Sequence, residues 1–214
     1  MALTLWYHPF SSFCMKAVIA LYECGASFDP VIVDLGDPAS RDAFIAVWPL
    51  GKFPIVRDEA RGEVIPESTM IIEYLADRYP GAGLIPADRD SAREVRLWDR
   101  LFDNYIHVQM QRIVADRLRP TGSRDPRGVA DARTQLRQTY DLLESWLAGR
   151  EWAAASGFTM ADCAAAPALH YAWMVEPWTG RPALSAYLDR LRLRPSIARV
   201  LAEAEPYAHF FPQE

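Results

Sequence analysis

At 214 residues, half of them apolar and with a net charge of −5, the chain can bury a real core in one large or two small domains. It has no apolar run of about eighteen residues and no charged-then-apolar leader, so neither a membrane span nor a secretory signal is expected and the chain reads as soluble and cytoplasmic. Three cysteines without a Cys-x-x-Cys spacing argue against a disulfide framework, four scattered histidines supply no metal-ligand set, and the charge leaves no nucleic-acid footprint.

The charge is unevenly spread. Residues 1–80 hold 6 Lys+Arg against 11 Asp+Glu, and residues 81–214 hold 17 of each, which divides the chain into two compositional units. Arginine outnumbers lysine 21 to 2, yet both lysines, Lys16 and Lys52, fall in the two most motif-like stretches.

In chain order, Ala2–Tyr7 is apolar and β-prone and reads as a strand. Tyr7-His-Pro-Phe-Ser-Ser-Phe-Cys-Met-Lys16 is a turn that opens a helix, with Ser11 or Ser12 able to cap it and Cys24-Gly25 as its stop. A hydroxyl and open backbone N–H groups at a helix N-terminus favour an anion. Ser27–Asp34 reads as a second strand, completing a βαβ unit. A short helical piece over 41–47 follows, then a third strand over 50–57 entered through Pro54. Residues 58–62 form a turn before a short fourth strand over 63–65. Pro66-Glu-Ser-Thr69 then starts a helix with Met70, Ile71, Tyr74 and Leu75 on one face.

Residues 81–88, rich in Gly and Pro, predict a linker. Everything beyond is helical: one long helix over 88–119, another over 129–147, an Ala-rich helix behind the capping box of Thr159 and Asp162, and two shorter helices over 182–192 and 196–204. The Ala-rich helix packs closely on all sides, which predicts the centre of a bundle. The expected organisation is residues 1–80 as an α/β domain, 81–88 as linker and 89–214 as an all-α helical bundle.

Taken together, the Ser-bearing turn, Gly51-Lys-Phe-Pro54, Pro66-Glu-Ser-Thr69 and the capping box, in this order and over the whole chain, resemble a cytosolic glutathione transferase. Trp98–Ile106 and the ending Ala204–Pro212 look like a bacterial branch of it. The resemblance implies a thioredoxin-like first domain with glutathione as cosubstrate, no metal, and a second, hydrophobic electrophile as the other partner. Where glutaredoxins carry Cys-x-x-Cys this chain reads Ser11-Ser12-Phe13-Cys14, so the redox nucleophile is replaced by serine and the chain falls beside the serine-type, theta- and zeta-like, members.

The resemblance assigns roles residue by residue. Ser11 is the donor to the glutathione thiolate, with Tyr7 as rival and Cys14 as a buried thiol at the resolving-cysteine place. Pro54 is the cis-proline that lets the Phe53 backbone pair with the tripeptide. Ser68 holds the γ-glutamyl carboxylate and Glu67 its ammonium. Phe13 belongs to the same binding turn. Lys52 either meets the glycyl carboxylate or is a solvated turn lysine, and the basic residues that theta-like members place before the second helix have no counterpart near Ala39 and Ser40. Phe10, Tyr105, His107 and Met110, with the tail ring Phe210, are candidates for the second-substrate wall. A homodimer is expected, with Asp103 reaching glutathione across it. Besides transfer, the resemblance leaves open a glutathione-dependent isomerase and a binding protein without turnover.

Overall fold

A computed structural model of the protein describes residues 3–213; Ala2, read as the first residue of the opening strand, lies outside them, as do Met1 and Glu214. The α/β unit runs β1 (Leu3–Tyr7), α1 (Ser12–Glu23), β2 (Phe28–Ile32), α2 (Pro38–Val47), β3 (Ile55–Asp58), β4 (Glu63–Pro66) and α3 (Ser68–Arg78). The sheet order is β2-β1-β3-β4, with β1 parallel to β2 and antiparallel to β3, and β3 antiparallel to β4. Pro30 is tolerated in β2 because that strand lies at the edge, where a missing N–H breaks no ladder. β3 begins at Ile55 rather than at Leu50 because Pro54 has no N–H to donate.

Alternation along the strands sends Leu3, Leu5, Val56 and Ile65 into the core shared with α1 and α3. The opposite face carries Trp6 and Ile55, which pack with Val33 and Phe44 under α2. This is a thioredoxin-like layer, with helices on both faces of a mixed sheet.

The second unit is entirely helical: α4 (Arg89–Leu101), a π-helical segment (Phe102–His107), α5 (Val108–Arg117), α6 (Pro126–Leu147), α7 (Met160–Val175), α8 (Pro182–Leu193), α9 (Pro195–Ala204) and a 3-10 tail (Glu205–Phe210). The expected uninterrupted helix over 88–119 is broken in the middle, where the Val108 N–H reaches back five residues to the Asp103 carbonyl. Such wide turns re-aim side chains and concentrate at functional places. Here Asp99, Asp103 and His107 all face α1.

α7 is the central helix that its alanines predicted. It packs against α1, α4, the π segment, α5 and α8, and nearly all its side chains are buried. Its start is a capping box in which Thr159 and Asp162 satisfy each other's backbone N–H groups. Asp162 does more than cap. Its carboxylate also accepts from the Ala153 N–H at 2.9 Å and the Tyr187 hydroxyl at 2.7 Å, both buried. The linker is pinned to the same place, since the Leu84 carbonyl accepts from the Met160 N–H at 2.9 Å.

Replacing Asp162 by Ala leaves the Tyr187 hydroxyl, the Ala153 N–H and the Thr159 N–H unpaired in the interior. Each such group costs about 1–3 kcal/mol, so Asp162→Ala is expected to lose at least ~3 kcal/mol in urea unfolding. A loss below ~1 kcal/mol would show that the box does not hold the bundle together.

Candidate functional site

Strand register brings three segments to one end of the sheet. Trp6 stands opposite Ile55, and Ile55 opposite Pro66. The turn after β1, the Phe53–Pro54 step before β3 and the Glu67–Ser68 step after β4 are therefore neighbours. Adjacent strands lie ~4.8 Å apart, so the span from the β1 turn to the start of α3 is roughly 10 Å. An extended tripeptide is also roughly 10 Å long.

Ser11 is the N-cap of α1. Its Oγ accepts from the Cys14 N–H at 3.4 Å, a long bond, and the same hydroxyl is hydrogen-bonded to the Cys14 thiol. The turn is closed by the Ser11 N–H donating to the His8 carbonyl at 3.0 Å. Phe53 joins Pro54 through a cis peptide, and the Phe53 ring packs between Phe44 and His8. Glu67 sits at φ +69°, a left-handed conformation that costs a non-glycine residue about 1–3 kcal/mol and marks functional places. No side chain caps α3, whereas Ser11, Asp37, Asp88 and Asp125 cap α1, α2, α4 and α6. The first-turn amides of α3 thus point, with the positive end of the helix dipole, at a place fit for a carboxylate, beside the buried Ser68. Lys52 is exposed on the turn before Phe53.

The four residues expected to wall a second substrate are not brought together. Met110 is buried in the apolar core. Tyr105 is 59% exposed, turned away from the face that meets α1. His107 is buried against α1: its Nε2 lies 3.3 Å from Ser12 Oγ, and its ring is 4.0 Å from the Phe13 ring. Phe10 does lie beside the turn, with its ring edge-on to Tyr171 and Phe211. The tail ring Phe210 packs with Tyr207 against His8.

Tyr7 faces elsewhere. It lines an open cavity of about 1020 Å³, together with Tyr22, Phe28, Arg194, Arg199 and Glu203 between α1, β2 and α9. That cavity touches none of Ser11, Phe53 and Ser68. Burial, then the Glu203 carboxylate, raise the Tyr7 phenol above its ordinary value, which makes it a poorer proton donor. Burial pushes the Cys14 thiol up to about 12, so it stays protonated and inert near neutrality. Asp103 is not open to a ligand across an interface; it is buried and bonded to Lys16 at 2.7 Å and to Arg100.

Missing from the sequence reading is the partner set of Lys16. This lysine is 1% exposed, and its Nζ meets Asp99 at 2.6 Å, Asp103 at 2.7 Å and Thr69 Oγ1 at 2.8 Å. The signals were an oddity of composition, a lysine in a chain of arginines, and the i, i+4, i+8 spacing of Asp99, Asp103 and His107.

Burial, and then the Lys16 ammonium, push the His107 imidazole down to about 4; burial and then Arg192 do the same to His170. An unfolded histidine titrates near ~6.5. Between these values the unfolded chain binds protons that the folded chain refuses, so this stability is complete above ~pH 6.5 and drains away as the pH falls towards 4. His107→Gln is expected to shrink the loss between ~pH 7 and ~pH 4.5 by about 2 kcal/mol in denaturant unfolding. An unchanged slope would mean that His107 is protonated in the folded protein.

Residues 5–83 match the family described as "Glutathione S-transferase, N-terminal domain", and residues 115–190 the one described as "Glutathione S-transferase, C-terminal domain". The chain is 27% identical over 205 residues to glutathione S-transferase GstB of Escherichia coli strain K12, which spans 93% of this chain and 97% of that one. It is 30% identical over 155 residues to a maleylpyruvate isomerase of a Ralstonia species, 70% of this chain and 72% of that one. The crystal structure of a glutathione S-transferase from Methylobacillus flagellatus KT with GSH bound is similar at a TM-score of 0.83 and 27% identity, over 92% of this chain and 98% of that one. The two family halves in order, a relative aligned along nearly the full length and a matching two-unit fold all agree: the protein belongs to the glutathione S-transferase family.

Proposed function

We propose that the protein is a serine-type glutathione S-transferase, which ionises the glutathione thiol against the Ser11 hydroxyl and directs the thiolate at a hydrophobic electrophile. The observation that carries this reading is the Ser11 hydroxyl at the N-terminus of α1 and at the same end of the sheet as Phe53–Pro54 and Ser68.

The magnitudes suffice. A free thiol with pKa ~8.5 is only ~3% thiolate at pH 7, and a shift of two units needs ~2.7 kcal/mol. A hydroxyl hydrogen bond to a charged partner is worth about 1.5–3 kcal/mol, and the helix terminus adds ~0.3–1 kcal/mol. The rest of the tripeptide would lie across the strand ends. Its cysteinyl backbone pairs with Phe53 ahead of Pro54, its γ-glutamyl carboxylate takes the α3 amides and Ser68, and its ammonium pairs with Glu67. Phe13 shapes the turn, and Lys52 is placed for the glycyl end. Phe10 with Tyr171 and Phe211 offers the apolar wall for the electrophile. No metal enters this chemistry.

Residues 1–80 would bind glutathione, 81–88 link, and 89–214 complete the second-substrate side. Exposed Met70 on α3 and Leu97 on α4 support a homodimer. A cytoplasmic location fits free cysteines, and among the described residues no helix is long and apolar enough to cross a membrane. The similarity to a maleylpyruvate isomerase favours one second reading, in which the same thiolate adds to an unsaturated acid and leaves again.

Ser11→Ala is expected to lower kcat/KM for glutathione with a generic aryl halide by about 10- to 100-fold while glutathione affinity is kept. Tyr7→Phe should leave both unchanged. Full turnover in Ser11→Ala refutes the assignment. Capture on immobilised glutathione without turnover of any electrophile would make the protein a binding protein, and isomerisation of a maleyl-type acid without net glutathione consumption would establish the second reading.

A further inference from the structure

We infer that the turn carrying Ser11 is positioned from the helical unit by His107, through a buried polar seam that also reaches the start of α3. This rests on the reading of Ser11 as the thiolate donor.

The seam is a ladder with matched spacing on both sides. On α1, Ser12 and Lys16 stand four residues apart. On the facing helix, His107, Asp103 and Asp99 are also separated by four. Ser12 Oγ meets His107 Nε2 at 3.3 Å, while Lys16 Nζ meets Asp103 at 2.7 Å and Asp99 at 2.6 Å. At its far edge Lys16 and Asp99 bond Thr69 Oγ1 at 2.8 and 3.0 Å, and Arg100 joins the same hydroxyl. The seam therefore grips the residue after Ser11 and the residue after Ser68.

His107 does this with one ring. Its nitrogen engages Ser12 and its face meets Phe13 at 4.0 Å, so it holds two consecutive residues of the turn. Ser12 and His107 are both buried, so neither has water as an alternative partner. The charged group that acts on His107 is Lys16 of α1, which is itself paired with Asp103. A neutral imidazole can donate to or accept from a hydroxyl, so the contact survives in either tautomer. Asp103 and His107, four residues apart within the π segment, share the face that meets α1. A donor must be held to within ~0.5 Å of a developing charge to be effective. The bond that the Ser11 hydroxyl accepts from the Cys14 N–H is long, so the neighbouring residues share in setting that precision.

The test measures the pH midpoint for ionisation of bound glutathione, by ultraviolet thiolate absorbance, together with the acid limb of kcat/KM. His107→Leu and Ser12→Ala are each expected to raise the midpoint by about one unit, roughly tenfold less thiolate below it, with the loss in kcat rather than in KM. The double variant should lose no more than either single one. His107→Gln, which can still bond Ser12, should recover most of the shift. A residue that served stability alone would lower the melting temperature without moving the midpoint. If His107→Leu does not fold, Ser12→Ala and His107→Gln still decide the matter. Ser11→Ala runs in parallel: if it leaves the midpoint where it was, the donor reading falls and this inference with it. If Ser11→Ala raises the midpoint and the folded His107 and Ser12 variants do not, the seam alone is refuted.

Discussion

A single buried ammonium ties the two units together. Removing a lysine charge from water costs several kcal/mol, and the cost is recovered only where opposite charges and hydrogen-bond acceptors are close and well aimed. Lys16 finds them on three separate elements: Asp99 on α4, Asp103 on the π segment and Thr69 on α3. Turning the helical unit away from the sheet would strand the charge. Arg100 completes the cluster at the surface, so that two cations face two carboxylates. The arrangement specifies one relative placement of the units more than it adds stability, since apolar packing of the same volume would stabilise the interface as well.

That placement matters to the proposed site, which lies at an edge of the α/β unit. Two helix N-termini, of α1 and α3, open at the same end of the sheet, one closed by a serine and one not closed by any side chain. An anion suits each. The strand register sets their separation, and the seam beneath sets their orientation. The local irregularities sit at this end too: the cis step before Pro54, the positive φ of Glu67 and the widened turn before Val108. The open cavity around Tyr7 and α9 lies apart from it, and its arginines are already matched, Arg194 by Glu23 and Arg199 by Glu203.

The alternative donors are separated by direction and burial, not by residue type. Tyr7 and Ser11 are four residues apart. Strand alternation turns Tyr7 into the cavity beside Glu203, while the turn leaves Ser11 at the rim. Cys14 is one helical step further in, wholly buried, and held protonated by its surroundings.

The sequence by itself determined the two-unit order, the four strands, nearly every helix and the capping box of α7, because these follow from local periodicity, turn residues and caps. It also singled out Ser11, Phe53–Pro54 and Glu67–Ser68, since each is a local signature at a helix start or a proline-entered strand. Only the tertiary structure decided what these residues face. It buried His107 and Met110, turned Asp103 inward to Lys16, and exposed Tyr105. Such outcomes depend on which helix meets which, and periodicity names a buried face without naming its partner. The pairing of a lone lysine with two aspartates more than eighty residues away is a property of the packed chain, visible only when α1 and α4 are side by side.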